Sequence, residues 1–115
     1  FTLGDISAKR DWGHAKDYVE AMWLMNQQQQ AEDFVIGSGE LHSVEEFAKK
    51  AFEHVNLNYK DYLKVDEKLI RNRDSVSKLA DNTKAKKILK WNPKINFNSM
   101  VKDMVEADLK LLTEN

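Results

Sequence analysis

Two arginines are the side chains of this sequence best suited to bind an anionic ligand, and an aspartate near one of them could bind hydroxyl groups of the same ligand. Arg10 precedes a predicted helix start, where a guanidinium can pair bidentately with a phosphate. Arg71 and Asp74 lie three residues apart in a predicted loop, so the arginine could supply charge for a diphosphate while the carboxylate accepts hydrogen bonds from ribose hydroxyls. The residues alone also allow simpler interpretations: a local salt bridge between Arg10 and Asp11, and a solvated loop at residues 71–74.

Several catalytic and cofactor motifs are absent from the sequence. Residues 37–39, Gly-Ser-Gly, come nearest to a dinucleotide fingerprint, but the third glycine is missing, and a turn after a strand explains them better. No tyrosine is followed four residues later by a lysine, the histidines lack metal-ligand spacing, and no nucleophile elbow occurs. We therefore predict no catalytic residue, no cofactor-binding residue and no metal site within this chain.

The composition is that of one small globular domain. Eighteen basic and nineteen acidic side chains give the 115 residues a net charge of −1, so no overall field favours nucleic acid or an acidic membrane. There is no cysteine, which excludes disulfides and thiolate metal sites. No apolar run approaches the ~20 residues needed to span a bilayer. Because the sequence opens on Phe1 in mid-pattern, we interpret it as a fragment.

The first predicted helix follows directly after Arg10. It runs from about His14 to Gln28, and Asp11 near its start is expected to favour the free amides and the helix dipole. Its expected apolar stripe, at three- and four-residue spacing, consists of Ala15, Tyr18, Val19, Met22 and either Met25 or Asn26.

Three further helices are predicted from caps and breakers. Ser43 and Glu46 form a capping box that begins the second helix. The third covers about residues 81–90 and ends before Pro93, because proline pushes the residue before it out of the helical region. The fourth begins at an N-cap on Asn96 and reaches nearly to the C-terminus.

One or two short strands complete the expected fold. Residues 33–36 form a continuous apolar run closed by the glycine turn, which is typical of a strand buried on both faces. Residues 62–66 alternate like a half-buried strand, and residues 1–5 form a strand or a loop. A buried strand needs sheet partners that this sequence does not obviously supply, so we expect further strands outside it.

Residues 10–19, Arg-Asp-Trp-Gly-His-Ala-Lys-Asp-Tyr-Val, resemble a motif of the GDP-mannose 4,6-dehydratases, a group of the extended short-chain dehydrogenase/reductases. The similarity continues, in order and spacing, through residues 32–44, 81–86, 89–93 and 101–105. The resemblance covers essentially the whole chain. It implies an α/β fold class, with residues 1–115 as the mostly helical C-terminal substrate-binding region of a Rossmann-type enzyme whose dinucleotide-binding domain is absent here.

In such enzymes the motif arginine contacts the diphosphate of the nucleotide sugar, which implies that role for Arg10. A second family motif, Arg-Pro-x-Glu, falls on residues 71–74 and implies diphosphate binding by Arg71 and ribose binding by Asp74. The resemblance further implies NADP bound by the missing N-terminal region, a GDP-mannose substrate that becomes a 4-keto-6-deoxy sugar, a homodimer or homotetramer, and a cytoplasmic location.

This sequence departs from the family pattern at the second motif. Asn72 stands where the family has proline, Asp74 is one methylene shorter than glutamate, and the loop between Asn58 and Ile70 is shorter. A GDP-heptose 4,6-dehydratase and a nucleotide-sugar reductase or epimerase are therefore alternatives. A helical interaction module without a nucleotide is a third, and the apolar strand at residues 33–36 argues against it.

Overall fold

A computed structural model of the protein describes residues 1–71 and 77–114. Among these, the regular elements alternate short strands and helices along the chain. They are β1 (Thr2–Leu3), β2 (Lys9–Arg10), α1 (Ala15–Asn26), β3 (His42–Ser43), α2 (Val44–Glu53), a 3₁₀ turn (Tyr59–Asp61), β4 (Lys64–Val65), a second 3₁₀ turn (Glu67–Leu69), a π-helical segment (Ala85–Leu89) and α3 (Phe97–Thr113).

The strands form two separate two-stranded ladders. β1 pairs with β4 in parallel, with Thr2 opposite Lys64 and Leu3 opposite Val65. β2 pairs with β3 in antiparallel register, with Lys9 opposite Ser43 and Arg10 opposite His42. The strand predicted at residues 62–66 is therefore present as β4, and the stretch at residues 1–5 contains β1.

The predicted strand at residues 33–36 is wrong for this chain. No ladder forms there, and Val35 is 55% exposed, although Phe34 and Ile36 pack against buried residues. A strand requires hydrogen-bonding neighbours, and among the described residues none pairs with this segment. Its apolar composition therefore serves side-chain packing on one side only.

The predicted caps of α2 and α3 are confirmed. The Ser43 hydroxyl accepts a hydrogen bond from the backbone N–H of Glu46 at 3.0 Å, and the Asn96 side chain accepts one from Ser99 N–H at 2.8 Å. The Glu46 carboxylate, however, lies 3.0 Å from Nδ1 of His42. The Ser43 half of the expected capping box is present, and the Glu46 side chain is used for another contact.

The first and third helices differ from their predictions. α1 is capped by His14, whose Nδ1 accepts from Lys16 N–H at 3.1 Å, and not by Asp11. The predicted third helix is short and π-helical over Ala85–Leu89, and it ends at Lys90 in the left-handed conformation, with φ of 55°. This segment packs two buried side chains, Ala85 and Leu89, against α1.

The buried face of α1 matches the predicted stripe only in part. Tyr18 and Met25 pack against the core, as predicted, but Asp17 and Ala21 are the fully buried residues, and Val19 and Met22 are each more than half exposed. Tertiary contacts select this face, because Trp91, only 1% exposed, donates its indole N–H to the Asp17 carbonyl at 2.8 Å. The apolar residues on the opposite side of α1 are left in solvent.

Two small hydrophobic clusters form the core. One joins α1 to the π-helical segment and contains Ala21, Ala85, Leu89 and Trp91. The other lies under the start of α3 and contains Phe97, Met100 and Val101, with Trp12 and Phe47 packed against it. Over the described residues, no helix has the length and apolar character needed to cross a membrane.

Candidate functional site: an arginine-lined cavity

The β2–β3 ladder fixes the position of Arg10. Beyond the two ladder pairs, Val44 N–H donates to the Ala8 carbonyl at 3.0 Å and Glu45 N–H donates to the Ile6 carbonyl at 2.9 Å. The residues just before Arg10 are thus tied to the first turn of α2. Arg10 is partly buried, and its Nη1 donates to the Lys9 carbonyl at 2.9 Å.

Arg71 reaches the same region through a close backbone approach. It follows the 3₁₀ turn Glu67–Leu69, and a Cβ atom on Gly4 would come within 2.7 Å of the Leu69 carbonyl oxygen. Only glycine permits this contact between β1 and the chain that leads into Arg71. The Asp66 N–H also donates to the Leu3 carbonyl at 2.8 Å, which fixes the turn against β1.

Arg10 and Arg71 line one cavity of about 360 Å³. Its lining residues are Leu3, Gly4, Asp5, Ala8, Arg10, Trp12, Val44, Leu69 and Arg71. Two of the three residues predicted to bind substrate therefore share one cavity, although they are 61 positions apart in sequence. The third, Asp74, lies outside the described residues.

A carboxylate accompanies the two guanidinium groups. Asp5 lines the cavity, and its Oδ1 accepts hydrogen bonds from Ser7 Oγ at 2.5 Å and Ser7 N–H at 2.9 Å. The side-chain and backbone hydrogen bonds from Ser7 lower the pKa of Asp5, and the positive charge of Arg10 adds to this effect. Asp5 is therefore ionised at neutral pH and opposes an anionic ligand.

Asp5→Asn is expected to tighten the binding of a diphosphate ligand about two- to fivefold, because it removes a negative charge from the cavity lining. The amide oxygen still accepts hydrogen bonds from Ser7. The gain should shrink as salt screens the charge. Calorimetric titration of the wild-type and variant proteins at low and high ionic strength measures the effect. Equal affinities at low salt would show that Asp5 does not sense the bound anion.

Asp11, the residue after Arg10, binds the backbone of two distant segments. Its Oδ1 accepts from Ser38 N–H at 2.8 Å and Ser38 Oγ at 2.6 Å. Its Oδ2 accepts from Gly39 N–H at 2.9 Å and Ala80 N–H at 3.2 Å. The prediction that Asp11 serves the start of α1 is therefore wrong. The sequence offered one signal for the actual role, a turn at residues 37–39 whose amides need an acceptor.

The acid stability of the protein should depend on Asp11. Partial burial acts to raise the pKa of Asp11, but hydrogen bonds from Ser38, Gly39 and Ala80 outweigh it and lower the pKa below its ordinary value of 3.8. Because its pKa is lower in the folded protein than in the unfolded one, the Asp11 carboxyl stabilises the fold. The full stabilisation is present at pH values above the unfolded-state pKa, and it is lost as the pH falls through the folded-state pKa.

We therefore expect the difference in free energy of unfolding between wild type and Asp11→Asn to shrink as pH falls below about 4. Denaturant titrations at a series of pH values measure it. A constant difference across that range would mean that the Asp11 carboxylate is not the group that titrates.

The glycine turn does not fit a dinucleotide. Its Ser38 and Gly39 amides, the groups that would face a pyrophosphate, already donate to Asp11. A Cβ on Gly37 would collide with the Ala80 side chain, so this glycine serves packing between protein segments. Within residues 1–71 and 77–114, no cluster of three potential ligand side chains could hold a metal ion.

Trp12 connects the cavity to the aromatic core. Its ring contacts Phe47 edge-on at 5.2 Å and stacks on Phe97 at 6.1 Å, measured between ring centroids. His42, opposite Arg10 in the ladder, stacks on the same Phe97 ring at 3.8 Å. Trp12 was not among the predicted site residues, yet it lines the cavity beside both arginines and can report ligand binding by its fluorescence.

The chain is similar in sequence to known proteins of one family. The sequence model of the GDP-mannose 4,6 dehydratase family matches residues 1–104. A GDP-mannose 4,6 dehydratase of Dictyostelium discoideum is 45% identical over 96% of this chain and 36% of its own length. The human protein of the same name is 44% identical over the whole chain and 36% of its length. The chain thus spans about a third of these relatives.

Solved structures share the fold of this chain. A UDP-glucose 4-epimerase of Thermotoga maritima, solved with UDP-glucose, is 30% identical with a TM-score of 0.83, over 96% of this chain and 34% of that one. A dTDP-glucose 4,6-dehydratase of Bacillus anthracis, solved with NAD, has a TM-score of 0.82 at 21% identity, over 94% and 33% of the two chains. The second likeness concerns the fold alone.

Proposed function

Because the chain belongs to the GDP-mannose 4,6-dehydratase family, we propose that it is the part of such an enzyme that binds the nucleotide sugar. It corresponds in this proposal to a C-terminal substrate-binding region, residues 1–115. Its role is anchoring: binding energy on the GDP moiety, remote from the reacting atoms, positions the hexose for reaction.

Arg10 and Arg71 bind the diphosphate in this proposal. The observation that carries it is their presence in the lining of one cavity of about 360 Å³. Two guanidinium groups around one pyrophosphate can each make charge-assisted, bidentate hydrogen bonds, which are roughly twice as strong as neutral ones. Asp74 would accept hydrogen bonds from the ribose hydroxyls, and its assignment rests on its spacing from Arg71.

The full-length enzyme would convert GDP-mannose to GDP-4-keto-6-deoxymannose, a lyase reaction that releases one water. NADP, held outside this chain, would supply the hydride chemistry. The residues of this chain touch no reacting atom in this proposal, and they hold the nucleotide while the sugar reacts. Such an enzyme would act in the cytoplasm as a homodimer or homotetramer.

Titration of the 115-residue chain with a fluorescent N-methylanthraniloyl derivative of GDP tests the binding role. Energy transfer from Trp12 to the bound nucleotide should rise and saturate, and excess GDP should reverse it more effectively than guanosine. A matched control is the Trp12→Phe variant, in which the saturating signal should be reduced to the part that Trp23 and Trp91 contribute. Absence of saturable binding, or equal competition by guanosine, would overturn the proposal.

Mass analysis of the reaction tests the activity and separates its alternatives. Incubation of the longer enzyme that contains this sequence with GDP-mannose and NADP should give a product lighter by one water. In a parallel incubation with NADPH, which supplies the hydride, a reductase would add two hydrogens. An epimerase would leave the mass unchanged with either cofactor, so either result would contradict the proposal. Loss of water from a GDP-heptose but not from GDP-mannose would identify the heptose enzyme instead.

A further inference from the structure

We propose that Asp5 is a specificity-determining residue of the arginine-lined cavity, where its carboxylate accepts a hydrogen bond from a hydroxyl group of a sugar attached to the diphosphate. The inference rests on the proposed function, in which Arg10 and Arg71 bind that diphosphate. Asp5 lines the same cavity as both arginines. Its negative charge repels a diphosphate, and diphosphate oxygens have no hydrogen to donate to it. The part of the ligand that Asp5 recognises is therefore a different group, one that carries a donor.

One oxygen of the Asp5 carboxylate is engaged within the chain. Its Oδ1 accepts from Ser7 Oγ at 2.5 Å and from Ser7 N–H at 2.9 Å. Over the part of the chain that the structure describes, Oδ2 receives no hydrogen bond of comparable length. A carboxylate has about four lone-pair sites, so the contacts with Ser7 leave about two of them for a ligand.

Asp5 acts as a charged acceptor at neutral pH. The side-chain and backbone hydrogen bonds from Ser7 lower its pKa, and a weaker contribution from the Ala8 N–H acts in the same direction. Hydrogen bonds to a charged acceptor are roughly twice as strong as those between neutral groups. A hydroxyl that donates to this carboxylate therefore adds affinity, whereas a ligand without that hydroxyl meets only the repulsion.

Hydroxyl groups are the donors of a GDP-sugar that lie nearest to its diphosphate. The diphosphate is joined to the ribose on one side and to the hexose on the other, and both rings carry hydroxyls only a few bonds away. The donors of guanine lie beyond the ribose. Because Asp5 shares one cavity of about 360 Å³ with the two diphosphate-binding arginines, a sugar hydroxyl is the donor that fits its position.

Ratios of ligand affinities test this role, because they cancel changes that affect all ligands alike. For a ribose hydroxyl, Asp5→Asn should reduce the preference for GDP over 2′-deoxy-GDP or 3′-deoxy-GDP about fivefold or more, since an amide makes a weaker hydrogen bond than a carboxylate. For a hexose hydroxyl, the preference for GDP-mannose over GDP should fall by a similar factor. Calorimetric titration of the folded 115-residue chain measures each affinity. If Asp5 served only the turn with Ser7, all these ratios would stay unchanged.

Asp66→Asn is the matched control. Asp66 lies beside the same strand, because its N–H donates to the Leu3 carbonyl at 2.8 Å, and its side chain accepts from Lys68 N–H at 2.9 Å. It does not line the arginine cavity. The variant removes the same charge from the same region, and it should leave every ratio within about twofold of the wild-type value.

Inorganic pyrophosphate separates the charge of Asp5 from its hydrogen bond, because this ligand has no sugar. Asp5→Asn should bind pyrophosphate about two- to fivefold more tightly than the wild-type chain while it loses the hydroxyl preference. Asp5→Glu keeps the charge but moves the carboxylate by one methylene. It should lower the hydroxyl preference and leave the pyrophosphate affinity within about twofold, and it carries the test if Asp5→Asn does not fold.

The outcomes separate this inference from the proposed function. Hydroxyl preferences that stay unchanged in the Asp5 variants would overturn the inference. So would a loss confined to the preference for GDP over inosine diphosphate, because Asp5 would then contact the base. If Arg10→Ala leaves the affinities for GDP and pyrophosphate unchanged, the diphosphate assignment fails and the inference fails with it. If Arg10→Ala weakens both while the Asp5 variants keep the hydroxyl preferences, only the role of Asp5 is overturned.

Discussion

Arg10→Ala is expected to weaken GDP binding by about 10- to 100-fold. The variant removes one charge-assisted, bidentate partner of the diphosphate, a contact worth about 1.5–3 kcal/mol, and each 1.4 kcal/mol is a factor of ten in affinity. Arg10→Lys should recover only part of the loss, because an ammonium group cannot reproduce the planar fork. Calorimetric titration of GDP into each variant measures the affinities.

Lys9→Ala is the control for this prediction. Lys9 is the other residue of β2, carries the same charge and is exposed, but it does not line the cavity. Its removal changes the net charge by the same amount and should alter the affinity less than about twofold at physiological salt, where exposed charges are screened. Equal losses of GDP affinity for Lys9→Ala and Arg10→Ala would mean that GDP binding depends only on the net charge of the protein.

Trp91→Ala is expected to reduce the free energy of unfolding by about 3–5 kcal/mol, the usual cost of truncating a buried aromatic side chain. Trp91 is 1% exposed, fills the cluster between α1 and the π-helical segment, and donates to the Asp17 carbonyl. Small domains have about 5–15 kcal/mol of stability in total, so much of it would be lost. Denaturant unfolding followed by circular dichroism gives the value.

Two variants separate the packing from the hydrogen bond. Trp91→Phe keeps most of the ring volume but removes the indole donor, and it should cost about 1–3 kcal/mol. Trp23→Ala removes a tryptophan that is 61% exposed and should change the stability by about 0.5 kcal/mol or less. A cost for Trp91→Ala as small as that for Trp23→Ala would contradict the description of this cluster as core.

Local signals in the sequence predicted the helix starts well. Ser43 and Asn96 are confirmed as N-caps because a cap depends on a side chain and the N–H two or three residues later, all within one turn. The α/β fold class, part of a Rossmann-type extended short-chain dehydrogenase/reductase, is confirmed by the structural likenesses. The fold class was predicted from the family motif and not from the periodicity of apolar residues.

Contacts between distant segments were beyond the reach of the sequence. The apolar run at residues 33–36 reads as a strand, yet pairing depends on a neighbour that periodicity cannot supply. The buried face of α1 is set by Trp91, 74 residues after Asp17, so Val19 and Met22 are exposed in spite of their spacing. For the same reason Asp11 was assigned to the nearest helix and not to Ala80.

In the candidate site, too, the sequence predicted the residue types but not the contacts between distant segments. The sequence predicted which residue types could bind a diphosphate, but not that Arg10 and Arg71 would line one cavity. Gly4 contributes to this arrangement because it lets the end of β1 approach Leu69, two residues before Arg71. Asp5 also lines the cavity and belongs to no motif, whereas Trp12 lies within the family motif at residues 10–19 but was not assigned to the site.

The ratio of the affinities for GDP and for guanosine tests the paired arginines most directly, because these ligands differ only in the diphosphate. For the wild-type chain we expect GDP to bind about 100-fold or more tightly than guanosine, as two charge-assisted contacts imply. In the Arg10→Ala, Arg71→Ala double variant the ratio should fall to within a few-fold of one. An undiminished ratio in the double variant would contradict the account, because the diphosphate would then be held by other groups.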